Sequence, residues 1–197
     1  FVIGEKFIGK ENVAMILGDN FFYGQSLSKL LLSSIKLTKG AKVVLHKVLK
    51  PELFGVAKVN SKKKIIKIKE KPKKFFSDLA ITGLYFFDNK VVNYAKKLKP
   101  SKRGEVEIVD LLNFYKLKKQ LSADLIGRGG AWLDTGSMDD FYKTSNFVSA
   151  IENRQGLKIA CLEEIAFSNK WITKTDIKNS IKFYGNCDYS KYLSKLL

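Results

Sequence analysis

The run Val13-Ala14-Met15-Ile16-Leu17 stops abruptly at Gly18-Asp19-Asn20. A short unbroken apolar run that ends in turn-forming residues reads as a strand buried on both faces. A helical stripe follows, with Leu27, Leu30, Leu31 and Ile35 inside Gln25 to Thr38 and Ser26 placed to cap it. Ala41 to Val48 is again strand-like. Strand, helix, strand predicts a βαβ unit with a right-handed crossover. The class expected is therefore α/β, with a mixed, mostly parallel central sheet.

The next section changes character. Gly55-Val56-Ala57-Lys58-Val59 and Ile65-Ile66-Lys67-Ile68-Lys69 flank the polar stretch Asn60 to Lys63, which is a β-hairpin signal. Ala80 to Phe87 is rich in β-branched and aromatic residues, as strands are. A helix is predicted from Asp88 or Asn89 to Lys99, stopped by Pro100, and a second from Glu105 to Lys118 on Val106, Val109, Leu112 and Leu117. Leu121 to Ile126 is strand-like, Gly127 to Gly130 is a loop, and Trp132-Leu133-Asp134 is a short buried run. Ser137 caps a helix that runs to about Gln155. Beyond it, Leu157 to Cys161 is compatible with a strand, and Thr173 to Lys182 and Asp188 to Leu197 look helical. No linker rich in Pro, Gly or Ser interrupts the chain, so the tail is expected as a helical appendage on the same domain.

The net charge of +17 invites a nucleic-acid reading. All basic residues except Arg103, Arg128 and Arg154 are lysine, however, and bidentate phosphate and base recognition favours arginine. The densest cluster, Lys62 to Lys74, partly alternates with Ile66 and Ile68, as the wet face of a strand would. A solvated face is the plainer account, with some general attraction for anionic small molecules; no nucleic-acid partner is expected. No apolar run approaches the ~20 residues needed to span a bilayer, so no membrane partner is expected and the protein reads as soluble and cytoplasmic. Cys161 and Cys187 have no metal-ligand spacing and read as structural thiols.

Several residues can carry chemistry. Asp19 ends a buried strand, and ligands of open α/β sheets bind beyond the carboxyl ends of strands. Asp134, between Trp132-Leu133 and Thr135-Gly136, is a second strand-end carboxylate. Two such aspartates can share one Mg²⁺ with phosphate oxygens, although an Asp at a strand end often serves only an Asx-turn. Glu70-Lys71-Pro72 places a charged pair after a strand, with Pro72 expected to confine Lys71 to extended backbone. Such a pair can serve a sugar phosphate or simply be an exposed ion pair. Arg103 precedes a helix and can reach an anion there or remain a surface residue. His46 has no nucleophile partner and reads as structural, and no nucleophile elbow, zinc signature or P-loop is present.

In their order these segments form a pattern. Leu17 to Gly24 (LGDNFFYG), Phe54-Gly55-Val56, Lys69-Glu70-Lys71-Pro72, Thr82 to Asp88 (TGLYFFD), Arg103 to Ile108 (RGEVEI), Trp132 to Gly136 (WLDTG) and Glu152 to Lys158 (ENRQGLK) resemble the glucose-1-phosphate thymidylyltransferases, a branch of the sugar-1-phosphate nucleotidyltransferases. Glu163 to Phe167 (EEIAF) also looks like that branch.

The resemblance implies a Rossmann-like nucleotidyltransferase fold. It implies that dTTP and α-D-glucose 1-phosphate are converted to dTDP-glucose and pyrophosphate, with Mg²⁺ held by Asp19 and Asp134 as the catalytic metal ligands. It implies that Gly55, Glu70, Lys71, Ile81 and Arg103 contact the glucosyl phosphate, Lys71 and Arg103 at its phosphate. The family's glycine-rich triphosphate loop, of the form G-x-G-T-R-L, is absent from these residues. Residues 1–160 are therefore expected to form a partial nucleotidyltransferase domain, incomplete at its N-terminus and inactive alone, and residues 161–197 a C-terminal helical segment. The resemblance also implies a homotetramer and a role in deoxysugar supply for surface polysaccharide. Competing readings are a transferase using UTP or CTP, or a non-catalytic domain that senses sugar nucleotides; fold alone does not decide between them.

Overall fold

In the computed structural model the described residues are 1–101, 104 and 106–197. They divide into two compact units, Phe1–Ser137 and Met138–Leu197. The boundary expected near residue 160 falls inside the second unit.

The first unit opens with a short helix, α1 (Glu5–Ile8), then β1 (Val13–Ile16), β2 (Asn20–Gly24), α2 (Leu27–Ser34) and β3 (Ala41–Lys47). After a 3₁₀ turn at Pro51–Leu53 come β4 (Gly55–Val59), β5 (Ile65–Glu70) and the long β6 (Leu79–Phe87). Helices α3 (Val91–Ala95) and α4 (Ile108–Leu117) lead to β7 (Leu121–Leu125) and β8 (Gly130–Asp134). The main sheet runs β5-β4-β6-β3-β7, with β1 also on β6, while β2 and β8 form a separate antiparallel ribbon.

The α/β class holds, but "mostly parallel" is corrected. Among the described residues only β3 and β7 pair in parallel; β1, β3 and β4 all run antiparallel to β6, and β4 antiparallel to β5. The reason is topological. β1 and β3 point the same way, as a βαβ unit requires, but β6 lies between them and opposes both: Ala14 and Lys42 both face Phe86. Local sequence cannot show that a strand from residue 79 onward inserts there.

β6 alternates between two cores. Tyr85 and Phe87 join Val43, Leu45, Leu112 and Tyr115 on the face covered by α3 and α4. Leu84 and Phe86 join Val44, with Phe22, Leu30 and Leu31 packed over them, on the face covered by α2 and the ribbon. The period of two along a strand sends neighbours to opposite faces, so a strand covered on both sides is apolar throughout. β6 shows this, being buried from Ala80 to Phe87.

β1 does not. Ala14 and Ile16 are exposed, Ile16 at 58% and Leu17 at 41%. Its expected double burial is corrected: among the described residues it has one neighbouring strand, β6, and its other edge is bare. In β5, a register shift opposite Lys58/Val59 turns Ile65 and Ile68 inward and leaves Ile66 exposed. Two residues of the predicted second helical stripe, Val106 and Leu117, are likewise exposed, and Leu111 and Tyr115 are buried instead. Asp88 does not cap α3. It accepts from Gly40 N (2.7 Å) and the Tyr115 hydroxyl (2.8 Å), joining the start of β3 to α4.

The second unit is helical: α5 (Met138–Gln155), α6 (Leu162–Ser168), α7 (Lys174–Tyr184) and α8 (Asp188–Ser194). Leu157–Cys161 is not a strand. Thr173 and Asp176 close a capping box at the start of α7. Its core is Cys161, Ile177, Tyr192 and Leu193. Glu163 accepts from both Tyr184 (2.9 Å) and Tyr189 (2.6 Å), and Glu164 from Tyr192 (2.6 Å).

Candidate active site

Most of the resemblance-derived residues collect at one cavity of about 240 Å³; Asp19 is not in its lining but precedes Asn20, which is. Gly55, Glu70, Lys71, Ile81 and Asp134 line it, with Phe54, Tyr85 and Trp132 among the rest of its wall. Arg103 lies outside the described residues.

The ribbon brings the two aspartates together. Asn20 stands opposite Asp134 in the β2–β8 register, and the carbonyl of Asp19 accepts from both the backbone N (2.7 Å) and the Oγ1 (2.9 Å) of Thr135. Both carboxylates face Gly136. A Cβ built on that glycine would fall 2.9 Å from Asp134 Oδ1 and 3.9 Å from Asp19 Oδ2. The two acidic side chains thus border one small space open to solvent. Magnesium takes few carboxylates and fills its octahedron with phosphate oxygens and water, so a pair of this kind suits it. Among the described residues no group of three or more His, Cys, Asp or Glu side chains is placed to hold a metal, which a closed structural site would require.

The other wall is the end of the β4–β5 hairpin. Gly55 pairs with Glu70, and a Cβ on Gly55 would stand 2.9 Å from Glu70 Oε2, so only glycine lets the carboxylate lie over the strand. Lys71 departs from expectation. Its φ is +37°, in the left-handed region and not extended. Its backbone N–H donates to the Phe54 carbonyl (3.0 Å), one residue beyond the β4–β5 ladder, where the chain bends. Ile81 is buried in β6, on the floor between the two walls.

The residue-by-residue reading missed the groups that join these walls. Asn20 Oδ1 accepts from Gly83 N (3.0 Å) and Trp132 Nε1 (2.5 Å), while Asn20 Nδ2 donates to Asp19 Oδ1 (2.7 Å). The Phe54 and Trp132 rings meet edge to face at 5.0 Å, and His46 lies behind Trp132 at 6.2 Å. Burial holds the Tyr85 phenol well above its ordinary range, with the charges of Glu70 and Asp19 adding to this. A polar residue within a strand and a glycine inside β6 were the available signals, and both are weak without the fold. A larger cavity of about 420 Å³ lies by α2 and β7, lined by Tyr23, Lys29 and Asp124 among others, and none of the candidate residues reaches it.

Comparison with known proteins identifies the family. The family model described as nucleotidyl transferase matches residues 1–151. Glucose-1-phosphate thymidylyltransferases of Neisseria meningitidis and Neisseria gonorrhoeae are 46% and 47% identical over the whole chain, which spans 68% of each relative. A crystal structure from Bacillus anthracis, assigned to the same enzymes and in complex with a sucrose, has a TM-score of 0.64 at 39% identity, over 74% of this chain and 57% of that one. A UDP-glucose pyrophosphorylase complexed with UDP-glucose has a TM-score of 0.66 at 25% identity, over 74% and 59%. The chain belongs to the nucleotidyl transferase family, and the enzymes it is most informatively compared with there are glucose-1-phosphate thymidylyltransferases.

Proposed function

We propose that this chain carries the sugar-phosphate half of a glucose-1-phosphate thymidylyltransferase site, which forms dTDP-glucose and pyrophosphate from dTTP and α-D-glucose 1-phosphate. The observation that carries this is the β2–β8 ribbon: Asp134 lines the cavity with Glu70 and Lys71, and Asp19 is tied to the neighbouring Thr135. In this reading a phosphate oxygen of glucose 1-phosphate attacks the α-phosphorus of dTTP in line. The bond to the β-phosphate breaks, and pyrophosphate leaves with the electron pair. There is little covalent work for the protein, and catalysis is positioning and charge neutralisation.

Lys71 holds the sugar phosphate as a point charge. Glu70, lying over Gly55, accepts from a sugar hydroxyl, and the backbone at Gly55 and Ile81 meets the ring. Asp19 and Asp134 hold Mg²⁺, which when bound neutralises phosphate charge and orients the two substrates. Arg103 adds a second cation at the sugar phosphate. The triphosphate loop is supplied by sequence outside these residues, and the chain alone does not turn over. The bare edge of β1 and the exposed Ile16, Leu17, Leu32 and Ile35 support that reading, because exposed apolar surface next to an open strand edge calls for cover. The assembled enzyme is a homotetramer. Among the described residues no helix is long and apolar enough to cross a membrane, which fits a cytoplasmic enzyme.

The test is pyrophosphate release with Mg²⁺, glucose 1-phosphate and dTTP, on this chain and on a version extended upstream. Turnover by the extended protein only, abolished by Asp19→Ala and by Asp134→Ala, is the expected result. A folded extended protein that is inert with dTTP, UTP and CTP alike would sink the transferase reading in favour of a sensing role.

A further inference from the structure

We infer that Asn20 is a positioning residue: its side-chain amide holds the Asp19 carboxylate turned toward Asp134 while clasping the β2–β8 ribbon to β6. The inference rests on the reading of Asp19 and Asp134 as a metal-facing pair.

The amide uses both of its ends. Oδ1, with two lone pairs, receives two N–H groups from different elements, Gly83 N of β6 and Trp132 Nε1 of β8. Since both of these are donors, the oxygen must face them, and the NH₂ must face Asp19, to which it donates at 2.7 Å. One side chain therefore joins the floor of the cavity, an aromatic wall and an acidic ligand. Asp19 is exposed, and its other partners among the described residues, the two Thr135 donors, reach its backbone carbonyl and leave its carboxylate free to rotate. The Asn20 amide is what selects one carboxylate orientation.

The chemistry requires an amide. An aspartate at position 20 would keep both acceptor bonds but set a second carboxylate against Asp19 in place of a donor, and like charges at that distance repel. A serine is too short to reach all three partners. Glycine at 83 is part of the same device, because a Cβ there would stand 2.6 Å from Asn20 Cγ and push the amide out.

The test is nuclear magnetic resonance on the labelled chain, comparing wild type with Asn20→Asp and Asn20→Ala. Three-bond couplings report the Asp19 χ1 rotamer, and the indole proton of Trp132 reports the clasp. In wild type, Asp19 should occupy one rotamer and the indole proton should lie downfield. In Asn20→Asp the indole proton should stay downfield while Asp19 becomes rotamer-averaged or flips. In Asn20→Ala both signatures should be lost. Asp19 averaged already in wild type, or unchanged in folded Asn20→Asp, would overturn the inference. Failure of both variants to fold would do the same, by making Asn20 purely structural. Added Mn²⁺ separates the two claims. It should broaden Asp19 and Asp134 together in wild type, and Asn20→Ala should need about ten times more, as loss of a partner that orients a metal ligand typically requires. If Mn²⁺ broadens neither, the metal reading fails, and the rotamer result still decides the role of Asn20.

Discussion

Gly83 and Asn20 meet so closely that a methyl group added to Gly83 would stand 2.6 Å from the Asn20 Cγ. Gly83 is buried in β6, so neither the strand nor the amide has room to move. Gly83→Ala should destabilise the first unit by about 1–3 kcal/mol, as overpacking of a full site does. Urea unfolding would measure it. The partner variant Asn20→Ala removes the clash, so in the double variant Gly83→Ala should cost less than it does alone, and a double-mutant cycle gives the coupling directly. Strict additivity would contradict the close contact.

Lys71 separates strain from binding. A lysine at φ +37° is strained, by about 1–2 kcal/mol on the usual scale for left-handed backbone. Lys71→Gly should therefore fold at least as stably as Lys71→Ala. Both should weaken glucose 1-phosphate binding to the same degree, tenfold or more, since a phosphate left without its cation is costly; charge-assisted bonds are worth about 1.5–3 kcal/mol. Calorimetric titration with glucose 1-phosphate, alongside thermal unfolding, would check both halves.

The buried Tyr115 predicts an alkaline limit. Its phenol is held well above the ordinary value by burial first, and then by its hydrogen bond to Asp88. The folded protein thus keeps this proton where the unfolded chain, with tyrosine near pH 10, releases it. Fewer protons in the unfolded state means that stability falls as pH rises, so the contribution is fully present below about pH 10 and is lost above it. Tyr115→Phe should cost about 1–3 kcal/mol at neutral pH, through the carboxylate partner left behind. It should also flatten the loss of stability between neutral pH and pH 11. Denaturant titrations across that range would show it.

His46 predicts the acid side. Burial lowers its pKa, outweighing backbone contacts at Gly130 and Lys47 that raise it, and its buried Nδ1 has no close hydrogen-bond partner among the described residues. A depressed folded pKa means that the unfolded chain takes up the proton first, at about pH 6.5. Stability is therefore complete above that value and declines as pH falls through the folded pKa. His46→Gln, which does not titrate, should remove most of the change in unfolding free energy between pH 7.5 and 5.5. An unchanged slope would assign that dependence to other groups.

Local patterns in the chain determined a good deal. The hairpin of β4 and β5, the strands β3, β6 and β7, and the helices α5, α7 and α8 follow from periodicity and turn chemistry, which the local sequence carries. The ordered blocks around Asp19, Glu70-Lys71 and Trp132-Asp134 supplied the candidate site residues through resemblance. Tertiary structure alone decided how these parts meet. β6 enters between β1 and β3 and turns an expected parallel pair into two antiparallel ones. Asn20, read as part of a turn, opens a strand that runs to Gly24 because Gly130 to Asp134 pairs with it from more than a hundred residues away. The two bonds that Asn20 Oδ1 accepts, from Gly83 and Trp132, arise in the same way. Each is set by a hydrogen-bond partner distant in sequence, and the pattern around a single residue carries no record of which distant group will fill its donor or acceptor.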